Sequence, residues 1–304
     1  MGIRQRVIID FDGTLTAEEE QAAGLGARSL ETLADILSPA DGRPAAVLRR
    51  ALEDAYRAAR RRILGDPARY GWEVGGLWAS YGDEGAFILN TTTIQTMLAD
   101  LLAAHPAYAE ALEAALPRRE YDLVADTSNY LFHRHTAEFP PLFRPEARGV
   151  LVALLERPCC DPVILTNSLG DKVTRLLGTL DLPRPIRVLG DTRQYEMDAR
   201  WTPPVDVGGP EPWLWRVDEA HTIDLRRPAY FRALTAARED GARVAVVADT
   251  LSLPGALPLA MGIPFLLLAT PYTPAWCRGA MDRHPCGRVL ERLGDLPAAL
   301  DTLE

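Results

Sequence analysis

"VIIDFDGTLT", Val7 to Thr16, ends an apolar run in two aspartates two residues apart and then a glycine. Val7, Ile8 and Ile9 are all β-branched with no polar residue alternating among them, the pattern of a strand buried on both faces in a parallel sheet. Asp is disfavoured inside a strand, and two carboxylates this close oppose each other's ionisation. Asp10 and Asp12 at the end of a buried strand therefore call for positive charge beside them. Gly13 allows the backbone to turn sharply next to whatever carries that charge.

Beyond Thr16 the character changes. "AEEEQAAGLGARSLETLADIL" opens a region rich in Ala, Leu and charge at helical spacing that persists to about Phe139. In "AVLRRALEDAYRAARRRIL", Leu48, Leu52, Ala55, Tyr56, Ala59 and Ile63 share one face at steps of three and four, which predicts an amphipathic helix. Thr91 to Leu116 repeats the pattern, with a break expected at His105-Pro106, and "YDLVADTSNYLFHRHTAEF" is a third helix. Residues 17–139 thus read as a mostly helical insert of domain size.

From "FPPLFRPEARG" helices and short apolar runs alternate: "PEARGVLVALLERP", "PVILTNS", "LGDKVTRLLGTLDL", "PIRVLGD", "PAYFRALTAAREDG", "ARVAVVADT", "LPGALPLAMG" and "IPFLLLAT". That alternation predicts an α/β unit, residues 1–16 with 140–304, whose parallel sheet is covered by helices on both sides. Ligands of such sheets sit beyond the carboxyl ends of the strands, so Asp10 to Asp12, Thr166 to Ser168 and Asp249 should converge on one crevice. Trp201 to His221, with three tryptophans among prolines and glycines, is a hairpin or a long loop.

The formal charge of -9 opposes a nucleic-acid surface, which needs a positive field, and points to small-molecule partners. No apolar run is long enough to span a bilayer, and no leader pattern precedes the first strand, so a cytoplasmic protein with no membrane partner is expected. The four cysteines, Cys159, Cys160, Cys277 and Cys286, have no CxxC spacing and are expected to be reduced thiols. Lys172 is the only lysine among 33 basic residues, as a GC-rich coding bias produces where arginine serves equally well.

DFDGT after an apolar run resembles the first motif, DxDGT, of the haloacid dehalogenase superfamily. Three further stretches between Pro145 and Pro264 resemble the later motifs in order, and the helical insert falls where that family places a cap domain. The resemblance implies a Rossmann-like core with a helical cap. It implies that Asp10 is a nucleophile that takes up a phosphoryl group. Asp12 would be the acid that protonates the leaving oxygen and then the base for water. Dehalogenases of the superfamily lack this second acid. A carboxylate attacking an anionic phosphate needs Mg²⁺ to neutralise charge, so the resemblance makes Asp10, the Asp12 carbonyl and Asp249 of "VAVVADT" the metal ligands.

"VILTNS" resembles the second motif, with Thr166 and the Asn167 backbone amide on a phosphate oxygen at a helix N-terminus. For the third motif, a cation balancing nucleophile and phosphate, "RRPAYFRAL" nominates Arg227 first. Lys172, one or two turns into the helix after Thr166, is the rival, and Arg193 stays open. Two departures bear on the metal: Leu253 and Pro254 stand where many relatives carry a second acid, and Ala248 replaces the glycine before Asp249. His133 and His135 lack a metal-ligand spacing and read as surface or cap histidines. Arg57, Arg60, Arg61, Arg62 and Arg69 read as a solvated helix face. Tyr70, Trp72, Trp78 and Tyr81 read as cap core.

The function so implied is Mg²⁺-dependent hydrolysis of a small phosphorylated metabolite through an aspartyl-phosphate. The alternatives are a catalytically weak or inactive ligand-binding or regulatory relative, and a phosphotransferase or mutase using the same intermediate. Substrate and oligomeric state are not encoded in these motifs.

Overall fold

The apolar run becomes the strand Gln5–Ile9, fourth in a six-stranded sheet of the computed structural model, which describes residues 5–117 and 120–303. The order is Gly287–Leu290, Phe265–Leu268, Arg243–Ala248, Gln5–Ile9, Cys160–Leu165, Arg187–Leu189, and every neighbouring pair is parallel. Six residues, Val7, Ile9, Ile164, Val247, Leu266 and Leu268, form one face. They pack against Leu151 and Leu154 of helix Ala147–Glu156, Val173 of helix Gly170–Leu177, and Leu296 and Leu300 of helix Leu296–Asp301. Each of those strand residues is nearly inaccessible, which is why the runs are apolar without alternation.

Register places the site. Ile9 lies opposite Val247 on one side and Ile164 on the other, and the Asp10 N–H donates to Val247 O at 2.9 Å. Asp10, Thr166 and Asp249 therefore leave the sheet together at its carboxyl edge, at the ends of three adjacent strands.

The chain divides into two compact units: residues up to Ala17 with those from Leu142 onward, and Glu18–Pro141. Residues 1–4, 118–119 and 304 of the ranges read from the sequence lie outside the described residues. Within the first unit, Thr16–Ala17 pairs antiparallel with Leu142–Phe143, Thr16 opposite Phe143. The Trp201–His221 stretch is irregular at first and then enters a small hairpin, Leu214–Arg216 with Thr222–Asp224.

The second unit holds helices Glu19–Asp41, Ala45–Gly65, Ala86–Ala104, Ala107–Ala115 and Leu123–His135. Leu33, Leu37, Leu48, Leu52, Ile94, Leu98 and Leu131 are among its core, and Pro106 separates the third helix from the fourth. The unit also contains a hairpin, Gly71–Val74 with Leu77–Tyr81, that helical periodicity does not anticipate. Its turn is Gly75-Gly76, both left-handed at φ 60 and 78. Tyr81 is buried as expected of core, but Trp78 is 40% exposed, near the turn end of a strand whose last three residues, Ala79 to Tyr81, are buried. Arg57, Arg61, Arg62 and Arg69 are exposed and Arg60 is half-buried; Arg57 pairs with Asp54, Arg62 with Asp100 and Arg69 with Asp66, a solvated face. His133 is exposed, and His135 is buried, bridging Thr32 Oγ1 through Nε2 at 2.7 Å and Glu138 through Nδ1. Among the described residues no helix is long and apolar enough to cross a membrane.

Candidate active site

The Phe11–Thr16 segment turns back on itself because Leu15 N–H and Thr16 N–H both donate to Phe11 O, at 3.0 and 3.2 Å. Gly13 sits at φ 77, and a Cβ there would lie 2.2 Å from Asp249 Oδ2. The glycine is thus required twice, by its left-handed backbone and by the carboxylate against it. Thr14 Oγ1 donates to Asp249 Oδ1 at 3.3 Å, fixing Asp249 to the same turn.

Asp249 is 4% exposed, while Asp10 and Asp12 are half-buried. Burial is the largest cause pushing all three carboxyls above their usual range. Asp249 and Asp12 push Asp10 up further by like charge, and Asp12 does the same to Asp249, which rises to about 7. Asp12 is partly relieved, first by the Lys172 ammonium and then by hydroxyls of Ser168 and Thr166, Ser168 Oγ donating to Asp12 Oδ2 at 2.8 Å.

Lys172 lies in the first turn of helix Gly170–Leu177, half-buried, and is the cation that acts on Asp12. Arg227 is 1% exposed, and its Nη1 donates to the Gln194 carbonyl at 2.9 Å. The reason is its position at the N-cap of helix Pro228–Ala236, which sends the guanidinium under the loop that carries Gln194. Arg193 pairs with Glu196 at 2.6 Å. Thr166 is buried, and its Oγ1 accepts from the Ser168 N–H at 3.1 Å; Asn167 Oδ1 accepts from Gln194 N–H at 2.7 Å.

Three further residues near these carboxylates have no role in the motif reading. Arg144 donates through Nη2 to Gly13 O at 2.6 Å and through Nε to Thr14 O at 3.1 Å, and its charge counters the rise of Asp249. It stands where the returning chain pairs with Thr16, and only knowledge of that pairing would have nominated it. Ser168, seen in the sequence as part of a polar strand end, is the hydroxyl on Asp12. Tyr230, fully buried, donates to Pro254 O at 2.8 Å, and burial followed by the charge of Asp10 pushes its hydroxyl well above the usual phenol range.

The donor set fits Mg²⁺. Asp10 and Asp249 would supply two hard carboxylate oxygens and Asp12 a main-chain carbonyl, and Mg²⁺ accepts few protein ligands because it keeps its waters. Burial first, and then the like charges of Asp249 and Asp12, push the Asp10 carboxyl up, and a divalent cation there would relieve both. Among the described residues no three His, Cys, Asp or Glu side chains gather as a cage, so the set relies on that carbonyl and on water.

No family model and no curated protein matches the chain. Solved structures that resemble it include a haloacid dehalogenase-like hydrolase of Xanthomonas campestris (16% identity, 99% of this chain and 96% of that one, TM-score 0.45). A 2-haloacid dehalogenase of Pseudomonas syringae resembles it too (18%, 98% and 99%, 0.44), as does a predicted phosphatase of Clostridium acetobutylicum (11%, 99% and 100%, 0.48). Likeness at this level speaks to neither reaction nor metal. The chain's own geometry is more specific: DFDGT, TNS and Asp249 close three adjacent parallel strands, and the Glu18–Pro141 unit is inserted after the first of them, the arrangement that the resemblance in the sequence implies.

Proposed function

We propose that the protein is a Mg²⁺-dependent phosphatase that hydrolyses a small phosphorylated metabolite of the cytoplasm through an aspartyl-phosphate on Asp10. The carrying observation is the second aspartate: Asp12 has its own hydroxyl partner in Ser168 and its own cation in Lys172. Displacement at a carbon bearing a halide needs no such acid, whereas expelling an alkoxide from phosphorus does.

An Asp10 carboxylate oxygen attacks phosphorus and the ester P–O bond breaks. The leaving oxygen takes a proton from Asp12, whose carboxyl is raised by burial and so holds that proton more readily than an exposed aspartate. Asp12, now ionised, takes a proton from water as the water attacks the same phosphorus, which releases inorganic phosphate and restores Asp10. Thr166, the Asn167 amide and the start of helix Gly170–Leu177 favour the phosphate oxygens, and Lys172 balances their charge. Mg²⁺, when bound by Asp10, the Asp12 carbonyl and Asp249, supplies the positive charge that lets one anion approach another.

Asp10→Asn protein should lose hydrolysis of an aryl phosphate and fail to trap beryllium fluoride, and unchanged activity would remove the nucleophile. Asp12→Asn should keep beryllium fluoride binding while kcat falls about 10²–10⁴-fold. Leu253 and Pro254 in place of a second acid favour one other reading, a ligand-binding relative of weak activity. That reading takes over if calorimetry finds no Mg²⁺ binding and a broad ester panel finds no turnover. Capture of the phosphoryl group by an added hydroxyl acceptor would instead identify a phosphotransferase or mutase.

A further inference from the structure

The residues after the edge strand Arg187–Leu189 fold back behind the Thr166–Gly170 turn and bind it at successive points. Thr166 N–H donates to Leu189 O at 3.0 Å, and Asp191 N–H to Ser168 O at 2.9 Å. Thr192 donates twice to Thr166 O, through its N–H at 3.1 Å and its Oγ1 at 2.8 Å. Gln194 N–H donates to Asn167 Oδ1 at 2.7 Å. Gly190 lies so close that a Cβ would stand 2.2 Å from Gly170 N.

Gln194 is 1% exposed; its side-chain amide donates to Thr192 Oγ1 at 3.3 Å and Leu165 O at 3.4 Å, while its main-chain carbonyl accepts from Arg227. Two residues of this segment, Asp191 at φ 50 and Arg193 at φ 47, are left-handed without being glycine. Such conformations persist only where surrounding contacts over-determine them. Here the contacts run to the Thr166–Ser168 turn on one side and to a buried guanidinium on the other.

We propose that Asp191–Gln194, pinned by Arg227, is a brace that fixes the Thr166–Ser168 turn. Thr192 and Gln194 are then positioning residues for the anion, and Arg227 is a buried strut that acts through Gln194. The brace is a statement about geometry; its effect on phosphate rests on the function proposed above. Amides that stabilise an anion act through their fixed direction, so a turn tied by four hydrogen bonds from Asp191–Gln194 loses little in holding them there.

Thr192→Val deletes one hydroxyl at nearly constant shape, Gln194→Leu deletes the amide, and Thr192→Ser restores the hydroxyl. Hydrogen exchange should quicken at residues 167–170 by about 5- to 10-fold in the first two variants, the worth of one net hydrogen bond. Exchange in Phe265–Leu268 should not change. Calorimetry with inorganic phosphate and Mg²⁺ should show affinity falling by a similar factor, with Thr192→Ser matching the wild type. Unchanged exchange at 167–170, or equal quickening throughout the sheet, overturns the brace. Quickened exchange with undiminished phosphate affinity overturns its positioning role. Quickened exchange in variants of a wild type that binds no phosphate upholds the brace and overturns the phosphate reading.

Discussion

Gly13 carries two constraints at once, and they can be separated. Alanine at φ 77 costs about 1–2 kcal/mol for its left-handed backbone. Its methyl must also displace the Asp249 carboxylate. Gly13→Ala protein should therefore lose about that much stability in denaturant titration and, separately, lose Mg²⁺ affinity by calorimetry. A variant that bound Mg²⁺ normally would mean that Asp249 does not need its place against the turn. At this scale the sequence was partly legible. Asp10, Asp12, Thr166 and Asp249 could be placed because each ends a buried run, and the run itself fixes which end of the sheet they share. The motif reading puts Arg227 ahead of Lys172, but side-chain direction depends on the loop around Gln194, whose path has no local signature, and the Arg227 guanidinium is turned to the Gln194 main-chain carbonyl. The single lysine of the chain is the cation that faces Asp12.

Among the elements, the Phe11–Thr16 turn depends on a residue far from it in sequence. Arg144 satisfies Gly13 O and Thr14 O with two edges of one planar group. Arg144→Met should lower the sheet unit's stability by about 1–3 kcal/mol, the cost of leaving buried carbonyls unpaired. Arg144→Lys should recover little of it, since an ammonium does not present the fork. Full recovery by lysine in urea denaturation would show that only the charge matters. Element type was legible wherever the period was sustained: Ala45–Gly65 buries Leu48, Leu52, Ala59 and Ile63 at the expected steps. The hairpin Gly71–Tyr81 is missed by a reading of its aromatics as cap core with no element assigned to them, although Gly75-Gly76 between apolar residues is a hairpin signal. Gly287–Leu290 escaped because four residues are too few to establish a period.

Among the described residues, one apolar cluster lies on the sheet and another among the helices of Glu18–Pro141. Each should respond to pH through its own groups. In the helical unit, Asp41 accepts from Arg43 and from the Tyr108 hydroxyl, and these bonds hold its carboxyl well below the usual range. The unfolded chain therefore binds this proton more readily than the folded one. The stabilisation is complete above the ordinary aspartate pKa of about 4 and is lost as pH falls toward the folded value. Asp41→Asn should flatten the acid limb of that unit's melting curve, followed by circular dichroism between about pH 5 and 2. An unaltered limb would assign the acid sensitivity elsewhere.

Thr16–Ala17 and Leu142–Phe143 run side by side as a pair of antiparallel strands. The chain leaves the sheet unit and re-enters it through neighbouring residues, so everything from 18 to 141 is a detour between two adjacent points. A detour of that kind changes length cheaply, each doubling adding only about 0.6 kcal/mol of closure entropy. It also leaves no trace in the strand order. The doorway formed by these four residues is therefore a natural graft point: another excursion, or a plain two-residue reversal, fits the same frame while Asp10 and Asp249 keep their register at the strand ends.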